Sequence, residues 1–149
     1  MPTTVTYRGQ TYRLGTDPRH VAVPLPEWLN APLPRGWDEL DSSHWTGRPD
    51  RDYARVYQQR KGLLVLVSCA QQTDFRRWLH VSVSRKDTCL PTWEQMCLVK
   101  DLFIGEERQA IQVMPPRSKW VNIHKGCLHL YHCLDNDALP DFTAGGETI

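Results

Sequence analysis

The chain has 149 residues, of which 40% are hydrophobic, and its 18 Lys and Arg against 17 Asp and Glu give a formal net charge of +1. This length fits one domain with one core, and the balanced charge excludes a self-repelling disordered chain or a partner selected by net charge alone. The N-terminus has no secretory signal pattern, and no apolar run reaches the roughly 18 residues of a membrane span. We therefore expect a single soluble domain over residues 1–149, with no membrane partner and with five free cysteines in a reducing cytoplasm.

The first third of the chain predicts a hairpin followed by an irregular segment. Residues 1–15 carry Val, Thr and Tyr on both sides of Arg8-Gly9, where glycine suits a tight hairpin turn. Residues 16–50 are rich in proline, which removes ladder donors, and in tryptophan, which buries a large apolar area. This composition predicts an ordered wrap docked on a sheet, with one helical turn around Trp37 to Leu40.

Residues 51–135 predict a sheet and one helix. Two runs, Tyr53–Gln58 and Leu63–Cys69, flank a turn at 60–62 and predict a hairpin, and the second run is continuously apolar, as expected for a central strand. A third strand is predicted from Phe75 to Ser84, which makes three sequential antiparallel strands the simplest topology.

Helical spacing replaces the strand pattern after residue 90. Thr92 fits an N-cap, Gln95 occupies the capping-box position, and Gly105 is a stop signal. The buried face is predicted from the apolar residues at helical spacing: Met96, Val99, Leu102 and Phe103. Three short strands are predicted to follow, at Ala110–Met114, Lys119–Ile123 and Gly126–Leu134, before an irregular tail over 136–149. The expected fold is α+β, a mainly antiparallel twisted sheet of five to seven strands with one principal helix on one face.

Two of the predicted strands carry histidines with a strict alternation. Leu79, Val81 and Val83 alternate with His80, Ser82 and Ser84, and Leu128 and Leu130 alternate with Cys127, His129, Tyr131 and Cys133. The aliphatic face is predicted to be core, and the imidazoles and hydroxyls are expected to face water.

This pattern suggests one enzymatic hypothesis. His80-Val-Ser82 matches half of the paired His-x-Ser/Thr signature of two-histidine phosphoesterases, with His129 and Tyr131 as an imperfect second copy. One imidazole would act as base and the other as acid, so the two rings should lie within roughly 6 to 8 Å, about one substrate phosphate apart, around an accessible cleft. The expected mechanism needs no metal and no cofactor.

The cysteines and histidines near residue 130 also suggest a metal pair. Cys127 and His129 share a strand face, but no Cys-x-x-Cys or His-Glu-x-x-His spacing accompanies them. The structural alternative is a small buried thiol beside a hydrogen-bonded core histidine.

A third feature is the supply of residues that favour recognition surfaces. Six tryptophans, several with arginine nearby, are typical of interface anchors as well as of cores. The predicted binding residues are Trp28, Trp37, Trp45, Arg76, Arg77, Trp78 and Trp120. Local basic residues for a nucleic-acid partner are Arg55, Arg60, Lys61, Arg76 and Arg77.

Several strings from Trp78 to Ile149 resemble an uncharacterised family of tailed bacteriophages and prophages. The strings are HVSVSR, LPTWE, VKDLFIG, QAIQVMPP, WVNIH, CLHLY and PDFT. The resemblance implies residence in the host bacterial cytoplasm and supplies no catalytic residues. The leading hypothesis is a non-enzymatic protein that binds a host or phage macromolecule, with inhibition of a host defence system as one such action. The alternatives are the phosphoesterase and a nucleic-acid-binding accessory protein.

Overall fold

The computed structural model describes residues 4–7, 10–13, 21–41, 51–71, 76–113, 127–135 and 147–148. Within these ranges lie ten strands, one α-helix and one short 3-10 helix (Glu27–Asn30). The strands are β1 (Thr4–Tyr7), β2 (Gln10–Arg13), β3 (Val21–Ala22), β4 (Trp37–Leu40), β5 (Ala54–Gln59), β6 (Leu63–Gln71), β7 (Arg77–Arg85), β8 (Ile111–Val113), β9 (Cys127–Cys133) and β10 (Glu147–Thr148). The α-helix, α1, spans Trp93–Phe103.

Eight of these strands form one antiparallel sheet in the order β10-β8-β9-β7-β6-β5-β4, with β3 paired to β6. Two of the eight, β3 and β10, have only two residues each, so six longer strands carry the sheet. The predicted α+β class with one principal helix is confirmed. The sequential antiparallel order β5-β6-β7 is also confirmed, and β6 is a central strand as its continuous apolar sequence predicted.

The main core lies between one face of the sheet and α1. The strands contribute the residues that alternation assigned to the interior, and the helix contributes Met96, Val99 and Phe103. The fully buried strand residues in this core are Leu63, Val65, Val67, Leu79, Val81, Val83 and Leu130. Burying these aliphatic side chains contributes about 1.5–3 kcal/mol each, so this face stabilises the whole sheet.

Helix α1 begins and ends as its sequence predicts. The Thr92 hydroxyl accepts from the Gln95 backbone N–H at 3.1 Å, and the Thr92 N–H donates to the Gln95 side chain at 2.9 Å. This reciprocal capping box satisfies two donors that the helix would otherwise leave unpaired. Gly105 follows the last turn with φ +114°, a conformation that glycine adopts without strain.

The proline- and tryptophan-rich segment is more regular than its sequence predicts. The helical turn predicted at Trp37 to Leu40 is wrong, because these residues form the edge strand β4 paired to β5. Pairing places Trp37 on the core face, where its ring meets Phe103 edge to face at 5.4 Å. Burying the Trp37 side chain against the helix stabilises the extended conformation by more than a single isolated helical turn would stabilise the alternative.

Several predicted features lie outside the described residues. These are the turn at Arg8-Gly9, Trp45, Phe75, the strand at Lys119–Ile123 with Trp120, and residues 136–146 of the tail. The hairpin strands β1 and β2 pair as predicted, with Tyr7 opposite Gln10. The prediction of an irregular tail is wrong at residues 147–148, where β10 pairs with β8.

Candidate functional site

Antiparallel pairing of β7 with β9 brings together the predicted catalytic residues. In the register, Ser82 lies opposite His129 and His80 lies opposite Tyr131. All four residues occupy the face of the sheet away from α1, because they alternate with the core residues Val81 and Leu130. The alternation in the sequence therefore predicted the shared face correctly.

His80 and His129, hereafter the imidazole pair, are in direct contact. The Nε2 atom of His80 lies 2.5 Å from Nδ1 of His129, and the two ring planes differ by only 12°. The ring centroids are 4.7 Å apart. With the two nitrogens only 2.5 Å apart, the centroids can be this far apart only if each nitrogen points almost directly at the other. The rings consequently meet edge to edge in nearly the same plane, with one nitrogen as donor and the other as acceptor.

Tyr131 completes the immediate surroundings of the imidazole pair. Its ring stacks on His80 with 4.8 Å between centroids and 15° between planes. This cross-strand contact holds the His80 ring from one side. His80 and Tyr131 are half-buried, whereas His129 is 3% exposed and Ser82 is 7% exposed.

The predicted water-facing surface is therefore wrong at its centre. His129, Ser82, Cys133 and Trp78 are buried on this face. Neighbouring strands explain why, since Val56 of β5 and Ile111 of β8 share the same face and are also buried. Alternation within one strand shows which side chains share a face, but it does not show whether that face is exposed to solvent.

The two imidazoles of the hypothetical two-histidine phosphoesterase site lie within the expected distance of roughly 6 to 8 Å, but they leave no gap between them. That mechanism requires a phosphoryl group between the imidazoles. The direct nitrogen contact at 2.5 Å leaves no room for it. The buried Ser82 hydroxyl is not placed at an open cleft either.

The two residues of the predicted metal pair lie on the same strand face, with Cys127 half-buried and His129 buried. Within the part of the chain that the structure describes, no group of three or more His, Cys, Asp or Glu side chains is arranged to hold a metal ion. His132, the third histidine among the described residues, lies on the opposite face, where Nδ1 contacts the Gln109 carbonyl at 2.6 Å.

All five cysteines are free thiols. Burial raises the pKa of the Cys69 thiol to about 12, which keeps it protonated and unreactive at neutral pH. Cys89, just before α1, is exposed.

The described tryptophans predicted as binding anchors are largely structural. Trp78 is 1% exposed and Trp37 is 7% exposed, so both side chains are buried in the described structure rather than presented on its surface. Trp28 is half-buried, and its Nε1 donates to the Phe103 carbonyl at 2.8 Å. Arg108 lies over the Trp28 ring at 3.7 Å, a cation–π contact that fixes the end of α1.

Three of the predicted basic residues, Arg55, Arg60 and Arg77, are engaged with protein groups. Arg77 pairs with Asp135, and Arg60 pairs with Asp38. The Arg77 guanidinium holds the pKa of the Asp135 carboxyl below its ordinary value. Arg55 is buried, with its guanidinium bonded to the Leu29 carbonyl and to Asn30. Ion pairing at these positions weakens the case for a basic nucleic-acid surface.

An exposed apolar surface on α1 and the residues just before it was not predicted from the sequence. Leu90, Trp93 and Leu98 are 45%, 47% and 44% exposed, and Glu94 and Asp101 are exposed among them. These five residues are hereafter the helix surface. At 100° per residue, Trp93 and Leu98 flank a row formed by Glu94 and Asp101. The sequence carried a signal for this surface, because Trp93 and Leu98 are large apolar residues that lie outside the buried helix face formed by Met96, Val99 and Phe103.

Comparison with known proteins adds one result. Residues 70–135 match a domain of unknown function, DUF7694. No curated protein and no solved structure matches the chain. Among the described residues, no helix has the length and apolar character that crossing a membrane requires.

Proposed function

We propose that this protein is a non-enzymatic interaction protein that binds another protein through the helix surface. The observation that carries the proposal is the exposure of Leu90, Trp93 and Leu98 on one short stretch of the chain. Large apolar side chains grouped on a surface favour association, and tryptophan is the residue most enriched at interface hot spots.

The charges around these side chains define the partner's chemistry. The exposed charged residues of α1 are Glu94 and Asp101, because Lys100 is buried with its Nζ bonded to the Glu106 carbonyl. Glu106 and Glu107 add exposed acidic residues just beyond the helix. The complementary partner is a protein with two apolar sites, one for Trp93 and one for Leu98, and with Lys or Arg side chains between them that meet Glu94 and Asp101.

The biological setting extends this proposal. The strings that resemble a tailed-phage and prophage family include Leu90-Pro-Thr-Trp-Glu94, which contributes three residues of the helix surface. We therefore place the protein in the cytoplasm of a host bacterium, with a host or phage protein as its target. Blocking a host defence complex is an action that requires binding alone, which suits a chain whose histidines do not form the expected hydrolytic site.

The test compares partner capture by matched variants. A partner is purified with the wild-type protein from infected or lysogenic bacteria, and its Kd is then measured against each purified variant. Trp93→Ala should weaken binding by about 2 kcal/mol, roughly thirtyfold, and Trp93→Phe should retain part of the affinity. Glu27→Ala removes an exposed acidic residue outside the helix surface and should leave Kd unchanged.

Two outcomes would overturn the proposal. One is an unchanged Kd for both Trp93→Ala and Leu98→Ala in proteins with wild-type circular dichroism. The other is capture of nucleic acid with a Kd that weakens steeply with salt, which marks phosphate contacts.

A further inference from the structure

The stretch from Ala31 to Arg35, hereafter the proline segment, is extended, exposed and held in place by its own packing. Ala31 has φ −63° and ψ 148°, the polyproline II conformation. The φ angles of Pro32 and Pro34 are fixed by their rings, and a proline also biases the residue before it toward an extended backbone. Leu33 packs against the main core, and the other four residues of the segment are exposed. A segment that is already ordered loses little conformational entropy when it binds.

Arg35 gives the proline segment a positive charge that no carboxylate neutralises. Arg51, Arg60 and Arg77 are each paired with a carboxylate. Arg35 is exposed and forms no ion pair within the part of the chain that the structure describes. The helix surface has the complementary character, because its apolar side chains flank exposed carboxylates.

We propose that the helix surface binds the proline segment of a second copy of this chain, in a two-fold dimer that contains the contact twice. Both elements lie on the same side of the sheet, because Leu33 and α1 pack against the same core. A two-fold axis on that side pairs each proline segment with the helix of the other copy, so the assembly closes as a dimer. The inference rests on the proposed function, since it uses the helix surface, and it names the occupant of that surface when no other target is bound.

The apolar side chains of the two elements have matching spacings. Polyproline II rises about 3.1 Å per residue, so Pro34 lies roughly 6 Å beyond Pro32. An α-helix rises about 1.5 Å per residue, so Leu98 lies roughly 7.5 Å beyond Trp93. In this register Pro32 stacks on the Trp93 ring while Pro34 contacts Leu98, and proline-rich segments bind aromatic surfaces in this way.

The charged side chains match in the same register. Arg35 lies three residues after Pro32, roughly 9 Å along the segment, and Asp101 lies eight residues after Trp93, roughly 12 Å along α1. The long Arg35 side chain spans the difference and donates to the Asp101 carboxylate. One register therefore satisfies both the apolar and the charged groups of the helix surface.

Sedimentation velocity of the purified full chain tests the dimer, with a thiol reductant present because Cys89 is exposed. Between about 5 and about 500 µM, where weak homodimers pass from monomer to dimer, the mass should rise from 17.3 kDa toward twice that value. Trp93→Ala and Arg35→Glu should each weaken dimerisation by about tenfold or more. Pro24→Ala replaces an exposed proline outside the proline segment and should leave the dimer unchanged. Circular dichroism checks that each variant is folded.

A charge swap identifies the contact. Adding Asp101→Arg to Arg35→Glu reverses the ion pair and should restore the dimer, whereas adding Glu107→Arg restores only the net charge and should not. A chain that stays monomeric throughout the concentration range, a dimer insensitive to Arg35→Glu, or a failure of Asp101→Arg to rescue it would overturn the inference. None of these results changes the capture of another protein by the helix surface. Unchanged capture by Trp93→Ala, with its dimer weakened as expected, would instead overturn the proposed function alone.

Discussion

Thr88 is a residue whose backbone conformation conflicts with its side chain. It lies in the loop between β7 and α1 with φ +68°, and it is the non-glycine residue with positive φ in the described part of the chain. The left-handed region brings Cβ close to the backbone, and branching at Cβ makes the conformation costlier still. The neighbouring loop contacts hold it there, since its N–H donates to the Arg85 carbonyl at 3.1 Å and Arg85 pairs with Asp87.

Relief of this strain is expected to stabilise the protein. Thr88→Asn, which tolerates the left-handed region, should raise the free energy of unfolding by about 0.5–1 kcal/mol. The measurement is a urea unfolding curve at pH 7. Thr88→Val keeps the branched Cβ and should give no gain, because the side chain is exposed and makes no described contact that Val would improve. Equal stability of the wild type and the Asn variant would mean that the loop does not strain Thr88.

At the scale of elements, local signals in the sequence were enough to predict most strands and the helix. Thr92 and Gln95 marked the start of α1, and the run from Leu63 to Cys69 marked the central strand β6. Trp37 was misassigned because short propensity signals are weak, and its extended conformation depends on pairing with β5 and on contact with Phe103.

The imidazole pair shows where prediction from one sequence ends. Alternation within each strand placed His80 and His129 on matching faces, but their contact depends on β9 lying beside β7 rather than beside β8 alone. It also depends on the register, because a slip of one residue would turn His129 to the other face. Neither the neighbour nor the register is encoded locally.

The capping box of α1 gives a prediction at this scale. Thr92→Ala removes the acceptor of the Gln95 N–H and should lower the free energy of unfolding by about 1 kcal/mol. Gln95→Ala removes the reciprocal hydrogen bond and should lower the free energy of unfolding by less, because the exposed Thr92 N–H can donate to water instead. Denaturant midpoints of the two variants and the wild type check the order. A cost for Gln95→Ala above that for Thr92→Ala would contradict the role of Thr92 as the principal cap.

At the scale of the whole molecule, the main sheet of the described residues has buried side chains on both faces and ion pairs along its periphery. Asp38 and Glu39 on the edge strand β4 pair with Arg60 and Arg51. Asp135, just after β9, accepts from the Arg77 side chain and from the Arg77 backbone N–H at 2.7 Å. Arginine hydrogen bonds lower the pKa of all three carboxyl groups, so each ionised carboxylate is favoured by the folded state.

These pairs predict a loss of stability in acid. A carboxyl group with a lowered pKa in the folded state contributes stability that is fully present above its ordinary value, 3.8 for Asp135, and that is lost as the pH falls through the lowered value. Because the pair is largely exposed, Asp135→Asn should cost only about 0.5–1 kcal/mol at pH 7. The difference from the wild type should shrink toward zero once the pH falls below the lowered pKa of Asp135.

Urea unfolding of the wild type and Asp135→Asn at pH 7, 5 and 3 measures this convergence. Arg77→Gln serves as the matched control: it should reproduce the loss at pH 7, and the double variant should lose little more than either single variant, since all three lack the same ion pair. The same comparison in high salt should show a smaller difference at pH 7, because screening weakens exposed pairs. A gap that stays constant down to pH values well below 3.8, the ordinary pKa of an Asp carboxyl group, would assign the effect of Asp135 to its shape and uncharged hydrogen bonding. The peripheral ion pairs would then not be the origin of acid sensitivity.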